Sequence, residues 1–114
     1  MAALTTNVAP VAGLRFDNLL VAAAGGGDDA ETGAGVVLVV KNGSGSAITV
    51  TVATPEVFDG DLTLQDRTVS VAATTGQSFI PLGSRYRDPT TGRATITYSA
   101  VTTVTVGVFR FPVT

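Results

Sequence analysis

Two groups of carboxylates come nearest to chemistry in this sequence. Asp28, Asp29 and Glu31 share the stretch GGGDDAETGAG (25–35), and Asp59, Asp61 and Asp66 share VFDGDLTLQDR (57–67). Loop carboxylates are hard oxygen donors suited to calcium, and a pair at the right separation can cleave a glycosidic bond as acid and nucleophile. Neither stretch follows the twelve-residue calcium-loop pattern, and two or three carboxylates do not complete a calcium shell. Solvated loop charge or pairing between subunits is therefore the preferred reading, with no metal and no cofactor expected. A glycosidase also needs a deep cleft and aromatic platforms, and a chain of 114 residues with no Trp and two Tyr has little material for either. His and Cys are both absent. That removes Ser-His-Asp and Cys-His catalysis, imidazole and thiolate metal sites, and any disulfide framework. Gly25–Gly27 lacks the Gly-Lys-Ser/Thr ending of a phosphate loop and reads as a linker. No catalytic residue is assigned, and the chain is expected not to be an enzyme.

A second group, Arg85, Tyr86, Arg87 and Arg93, carries the residue types that protein interfaces concentrate. Tyr86 could also stack on a base, but a sequence pI near 4.7 and a single Lys argue against a nucleic-acid binder. A protein interface ranks first, an exposed loop without a role second, and nucleic acid third. Phe109 and Phe111, flanking Arg110, are expected in the core, with an interface edge as the alternative. The net charge of −2 conceals an asymmetry. Up to Asp66, Arg15 and Lys41 face Asp17, Asp28, Asp29, Glu31, Glu56, Asp59, Asp61 and Asp66; beyond it five arginines face Asp88 alone. Either the halves form an acidic and a basic side that suit packing of identical copies, or they interleave and cancel.

The elements that must position these residues are strands. Residues 36–54, VVLVVKNGSGSAITVTVAT, join an apolar run to a Gly/Ser turn and then to a strict alternation of Ile48, Val50 and Val52 with Thr49 and Thr51. Period-2 patterning with β-branched residues predicts a hairpin turning at Asn42–Ser46. The same grammar returns in ATITYSA and TVTVGVFRF as a last hairpin, with Val104, Val106 and Val108 on one face. Between them RTVSVAA and GQSFIPL read as strands, Asp59-Gly60 and Asp88-Pro89 as turns, and Gly25–Gly35 as a flexible acidic loop. Asp17–Ala24 either starts a short helix capped by Asp17 or forms a strand or irregular packed segment, the latter being preferred. Residues 1–13, uncharged and without helical period, read as an extended arm that needs a partner strand or groove to order it.

About seven to eight short strands at 8–12-residue intervals predict one all-β domain over 14–114, an antiparallel β-sandwich or jelly-roll-like barrel. Its core must be Val, Ile, Leu and Ala, because aromatics make up only 6% of the chain. Charged residues are only 14%, well below the usual quarter, which suits a surface packed against copies of itself or a larger assembly. No apolar run reaches membrane-spanning length, and the start MAALTTNVAPVAG lacks the pattern of a signal peptide.

The succession GGDDAETG, VVLVVKNGSGSAITVTVATP, DGDLTLQDRTVSVAA and ATITYSAVTTVTV resembles the small β-proteins encoded beside the major capsid gene in tailed bacteriophages, the head decoration or cement proteins. The resemblance covers roughly residues 26–109, most recognisably Lys41-Asn42-Gly43 and Thr97–Thr102. It implies a structural protein that binds the outside of the mature head and bridges major capsid subunits, commonly as a homotrimer. The chain would be assembled in the host cytoplasm and carried on the capsid exterior, with no direct nucleic acid and no membrane as partner. Within that frame the arm, through Thr5, Thr6, Asn7 and Val8, is expected to add a strand to the capsid. Arg85, Tyr86 and Arg87 are expected to meet acidic residues of a neighbouring copy or of the capsid. Two other assignments are a glycan-binding module on the virion surface, with Tyr86 and Tyr98 as platform, and a head–tail connector or tail-tube subunit.

Overall fold

A computed structural model describes residues 2–55, 57–58, 62–63 and 65–111. In chain order the strands are β1 (Ala2–Ala3), β2 (Thr6–Val8), β3 (Val21–Ala22), β4 (Asp28–Ala30), β5 (Val36–Asn42) and β6 (Ile48–Val52). They continue with β7 (Val57–Phe58), β8 (Leu62–Thr63), β9 (Arg67–Val71), β10 (Gly76–Pro81), β11 (Ala94–Tyr98) and β12 (Val104–Arg110). Ten of them form two five-stranded sheets, ordered β1-β4-β11-β6-β9 and β10-β5-β12-β2, with β3 also on β12; β7 and β8 make a separate hairpin. The all-β sandwich agrees with the expectation. The closed barrel does not, and neither does the strand count of seven to eight or the purely antiparallel pairing, since β1 runs parallel to β4 and β2 parallel to β12.

Both expected hairpins are corrected. β5 pairs with β10 and β12, while β6 pairs with β11 and β9, so residues 43–47 arch from one sheet to the other. The links β9 to β10 and β11 to β12 cross in the same way. The physical reason is that alternation fixes which face of a strand is buried but not its neighbour. β6 buries Ile48, Val50 and Val52, and β5 buries Leu38 and Val40 against them from the opposite sheet. Val71, Ile96, Val106, Val108, Ile80 and Leu82 complete an aliphatic core, as the composition predicts.

Asn42 ties the three arches together at one end of the sandwich. It is fully buried and sits in register between Gly76 and Val104. Its Nδ2 donates to the carbonyls of Ser46 (2.9 Å), Ala72 (3.2 Å) and Val71 (3.3 Å), while its Oδ1 accepts from the amide (3.0 Å) and hydroxyl (2.7 Å) of Ser44. Thr74 and Thr103, in the other two arches, have φ of 71° and 54°, a left-handed region that β-branched residues avoid. The Thr74 amide donates to the Ser44 carbonyl and the Gly43 amide to the Thr103 carbonyl, so the strained residues are held from the turn that Asn42 organises.

The stretch read as a flexible acidic loop contains β4, bonded on one side to β11 and on the other to β1. Asp17–Ala24 is irregular with the short β3, and Asp17 pairs with Arg15 rather than capping a helix. Among the described residues no helix is long and apolar enough to cross a membrane.

Candidate interaction surfaces

Successive residues of a strand face opposite sides, and this separates the first carboxylate group. Asp28 is completely buried, its Oδ2 accepting from the Tyr98 hydroxyl (2.7 Å) and more weakly from the Ala24 amide (3.3 Å). Asp29 points the other way and pairs with Arg93, whose guanidinium also donates to the Leu4 carbonyl (3.0 Å). The two carboxylates therefore cannot share one cation. Asp59 and Asp61 lie outside the described residues; Asp66 accepts from the Thr54 amide (2.8 Å). The Asp29–Arg93 pair also shows acidic and basic halves of the sequence interleaving at this point.

Burial and the Asp28 carboxylate push the Tyr98 hydroxyl far above its ordinary value, because its ionised form would lose solvent and meet a like charge. A folded-state value raised above the unfolded one, about 10, means that the folded protein holds a proton the unfolded chain has released. Its stabilising contribution is full below pH 10 and is lost as the pH rises further. Urea unfolding between pH 9 and 11.5 is expected to show stability falling by up to about 1.4 kcal/mol per pH unit from this one group. Tyr98→Phe is expected to remove that increment of slope.

Residues 2–8, expected to order on a partner, are ordered by their own domain. β1 extends the first sheet and β2 the second, and between them Leu4 enters the core at 6% exposure. Thr6, Asn7 and Val8 lie beside Val108, Phe109 and Arg110; Thr5 is exposed in the crossing between sheets. Deleting this arm would therefore remove core and edge strands together, and what it leaves for another chain is the outer edges of β1 and β2.

The expected arginine site is split. Ser84–Tyr86 forms a 3-10 turn after β10, and it brings Arg85 and Tyr86 beside Arg67 of β9. These three residues are shared by two adjoining clefts of about 490 and 730 Å³ along the side of the sandwich, where β9 and β10 are the free edges of their sheets. Arg87 is exposed and bridges Ala94 at the next turn, lining neither cleft. Nothing in the sequence marked Arg67 as a partner of Arg85, because 17 residues and a change of sheet separate them.

The surface that the sequence reading missed is aromatic. On the outer face of the second sheet, Phe16, Phe79, Phe109 and Phe111 gather around an apolar cleft of about 160 Å³ with Val39 and Leu14. Four of the chain's five Phe residues meet here, and Phe79, Phe111 and Phe16 remain 66%, 50% and 37% exposed. Phe109 is buried as expected, but beneath Phe16, edge to face at 6.1 Å, and not in the core between the sheets. Gly107 permits the covering: a Cβ there would stand 2.8 Å from the Leu20 side chain. The signal was present as parity, since Val104, Val106 and Val108 facing the core put Phe109 and Phe111 on the other side. Comparison of the chain with protein-family models, curated proteins and solved structures finds no match in any of the three.

Proposed function

We propose that this chain is a structural protein of a tailed-phage head, a decoration protein that binds the outer surface of the mature capsid and acts by binding alone. The observation that carries the reading is the exposed phenylalanine face on a rigid sheet. Such clusters exceed what a monomer scatters singly over its surface, and aromatic anchors supply most of the binding energy of interfaces. Few charges and neutral Thr-rich strands make the surrounding surface cheap to desolvate. Three copies bridging neighbouring major capsid subunits on the capsid exterior would stabilise the expanded lattice by mass action, because a ligand that prefers one state shifts the equilibrium toward it. The phage head assembles in the host cytoplasm, and the chain joins it there.

The test is co-sedimentation of the purified chain with undecorated mature heads and with unexpanded proheads of the phage that encodes it. Saturable binding to mature heads, at a stoichiometry in threes and with raised resistance to heat rupture, is the expected result. Rings or tubes formed without heads would replace the reading by a connector or tail-tube subunit, and binding to sugars in place of heads by a glycan module.

A further inference from the structure

We propose that the seam between β9 and β10 takes up an extended, carboxylate-bearing segment of a partner protein as an added strand. The inference is independent of which particle carries the chain. Among the described residues each sheet ends here on an open edge: β9 pairs with β6 alone and β10 with β5 alone. Among the described residues, no loop backbone bonds to Arg67–Val71. An open edge is a row of unused donors and acceptors, the template on which extended peptides add.

The two clefts adjoin where the start of β9 meets the end of β10, with Tyr86 shared between them and half-buried Val69 and buried Ile80 lining the larger. Their volumes, about 490 and 730 Å³, are on the scale of recognition sites. A strand laid here presents alternate side chains inward, to Val69 and Ile80, and outward, to the rim. The rim is cationic, with Arg67 and Arg85 both exposed. Among the described residues the one carboxylate lining it, Asp66, already accepts from the Thr54 amide. Planar guanidiniums select carboxylates, which they can bind through two parallel charge-assisted hydrogen bonds. Nucleic acid fits less well, because the chain is net negative with one Lys, and among the described residues the seam offers one aromatic, half-buried Tyr86.

The experiment uses the full chain and labelled peptides of four Val-Glu repeats, four Val-Lys repeats, and the Val-Glu peptide with alternate backbone nitrogens methylated. Anisotropy is expected to show the Val-Glu peptide binding at least tenfold tighter than Val-Lys. Methylation should cost tenfold or more, since it leaves the charge but stops the ladder. Amide exchange should slow across Arg67–Val71 and Gly76–Pro81. The double variant R67E/R85E, at two exposed positions, should keep its thermal unfolding and reverse the preference toward Val-Lys. Equal affinity for the two peptides, indifference to methylation or protection confined to other strands would overturn the proposal. So would tighter binding of a twelve-nucleotide thymidine strand, or self-association through this edge that shuts the peptide out.

Discussion

Asn42→Ala is expected to lower the unfolding free energy by about 3 kcal/mol, read from urea titration monitored by far-UV circular dichroism. The expectation follows from what the side chain holds rather than from its size. Three backbone carbonyls from two arches lose their donor, and the Ser44 amide loses its acceptor. A buried polar group left without a partner costs about 1–3 kcal/mol, and the Val71 carbonyl lies where water does not replace the lost bond. The strained Thr74 and Thr103 are then free to relax, which loosens the whole end of the sandwich. For a domain of this size the midpoint should fall by about 10–15 °C. Asn42→Asp is expected to be no better, because it keeps the acceptor for Ser44 but sets a carboxylate against three carbonyls. Ser44→Ala, which leaves every bond made by the Asn42 amide nitrogen in place, should cost under about 1 kcal/mol. An Asn42→Ala loss no larger than that of Ser44→Ala would show that the bonds of the Asn42 side chain do not hold this end of the sandwich together.

The second large effect concerns binding. If the chain binds heads as proposed, the double variant Phe79→Ser/Phe111→Ser is expected to weaken that attachment by more than a hundredfold while the fold stays intact. Together the exposed parts of these rings amount to roughly one whole phenyl side chain, about 200 Å². Burying that area against a capsid subunit is worth up to about 5 kcal/mol before the costs of ordering, so its loss exceeds two factors of ten. Neither ring is packed in the core, so each substitution should cost the folded chain under about 1 kcal/mol. Co-sedimentation with heads, beside thermal unfolding of the free variant, separates the two effects. Undiminished sedimentation of a folded variant would move the capsid-facing surface away from the second sheet.

Much of this architecture was legible in the residues. The alternation at Ile48, Val50 and Val52 correctly assigned a buried face, and the lack of aromatics correctly predicted an aliphatic core. Partner choice was not legible, because a turn such as NGSGS serves a hairpin and an arch equally well. The parallel edge strands were hidden for a related reason: Ala2–Val8 has no alternation, and only Leu4 is large enough to signal a buried position. Asn42 looked like an ordinary turn residue, since its partners at Val71 and Ala72 lie 29 and 30 positions away. Of the candidate site, Arg85 and Tyr86 were found by type. Arg67, Phe16 and Phe79 were not, because each meets its neighbours only once the sheets have assembled.

The crossing connections also decide when folding can finish. β12, the last of the described strands, lies in the middle of its sheet, with β5 on one flank and β2 and β3 on the other. Among the described strands of the sandwich only β6 and β9 pair as neighbours along the chain, so few contacts can form early by local closure. A chain in synthesis keeps the apolar run of β5 without its central partner until Arg110 has left the ribosome, so the second sheet closes late rather than strand by strand. During that interval the naked edge of β5 is the segment most in need of a chaperone.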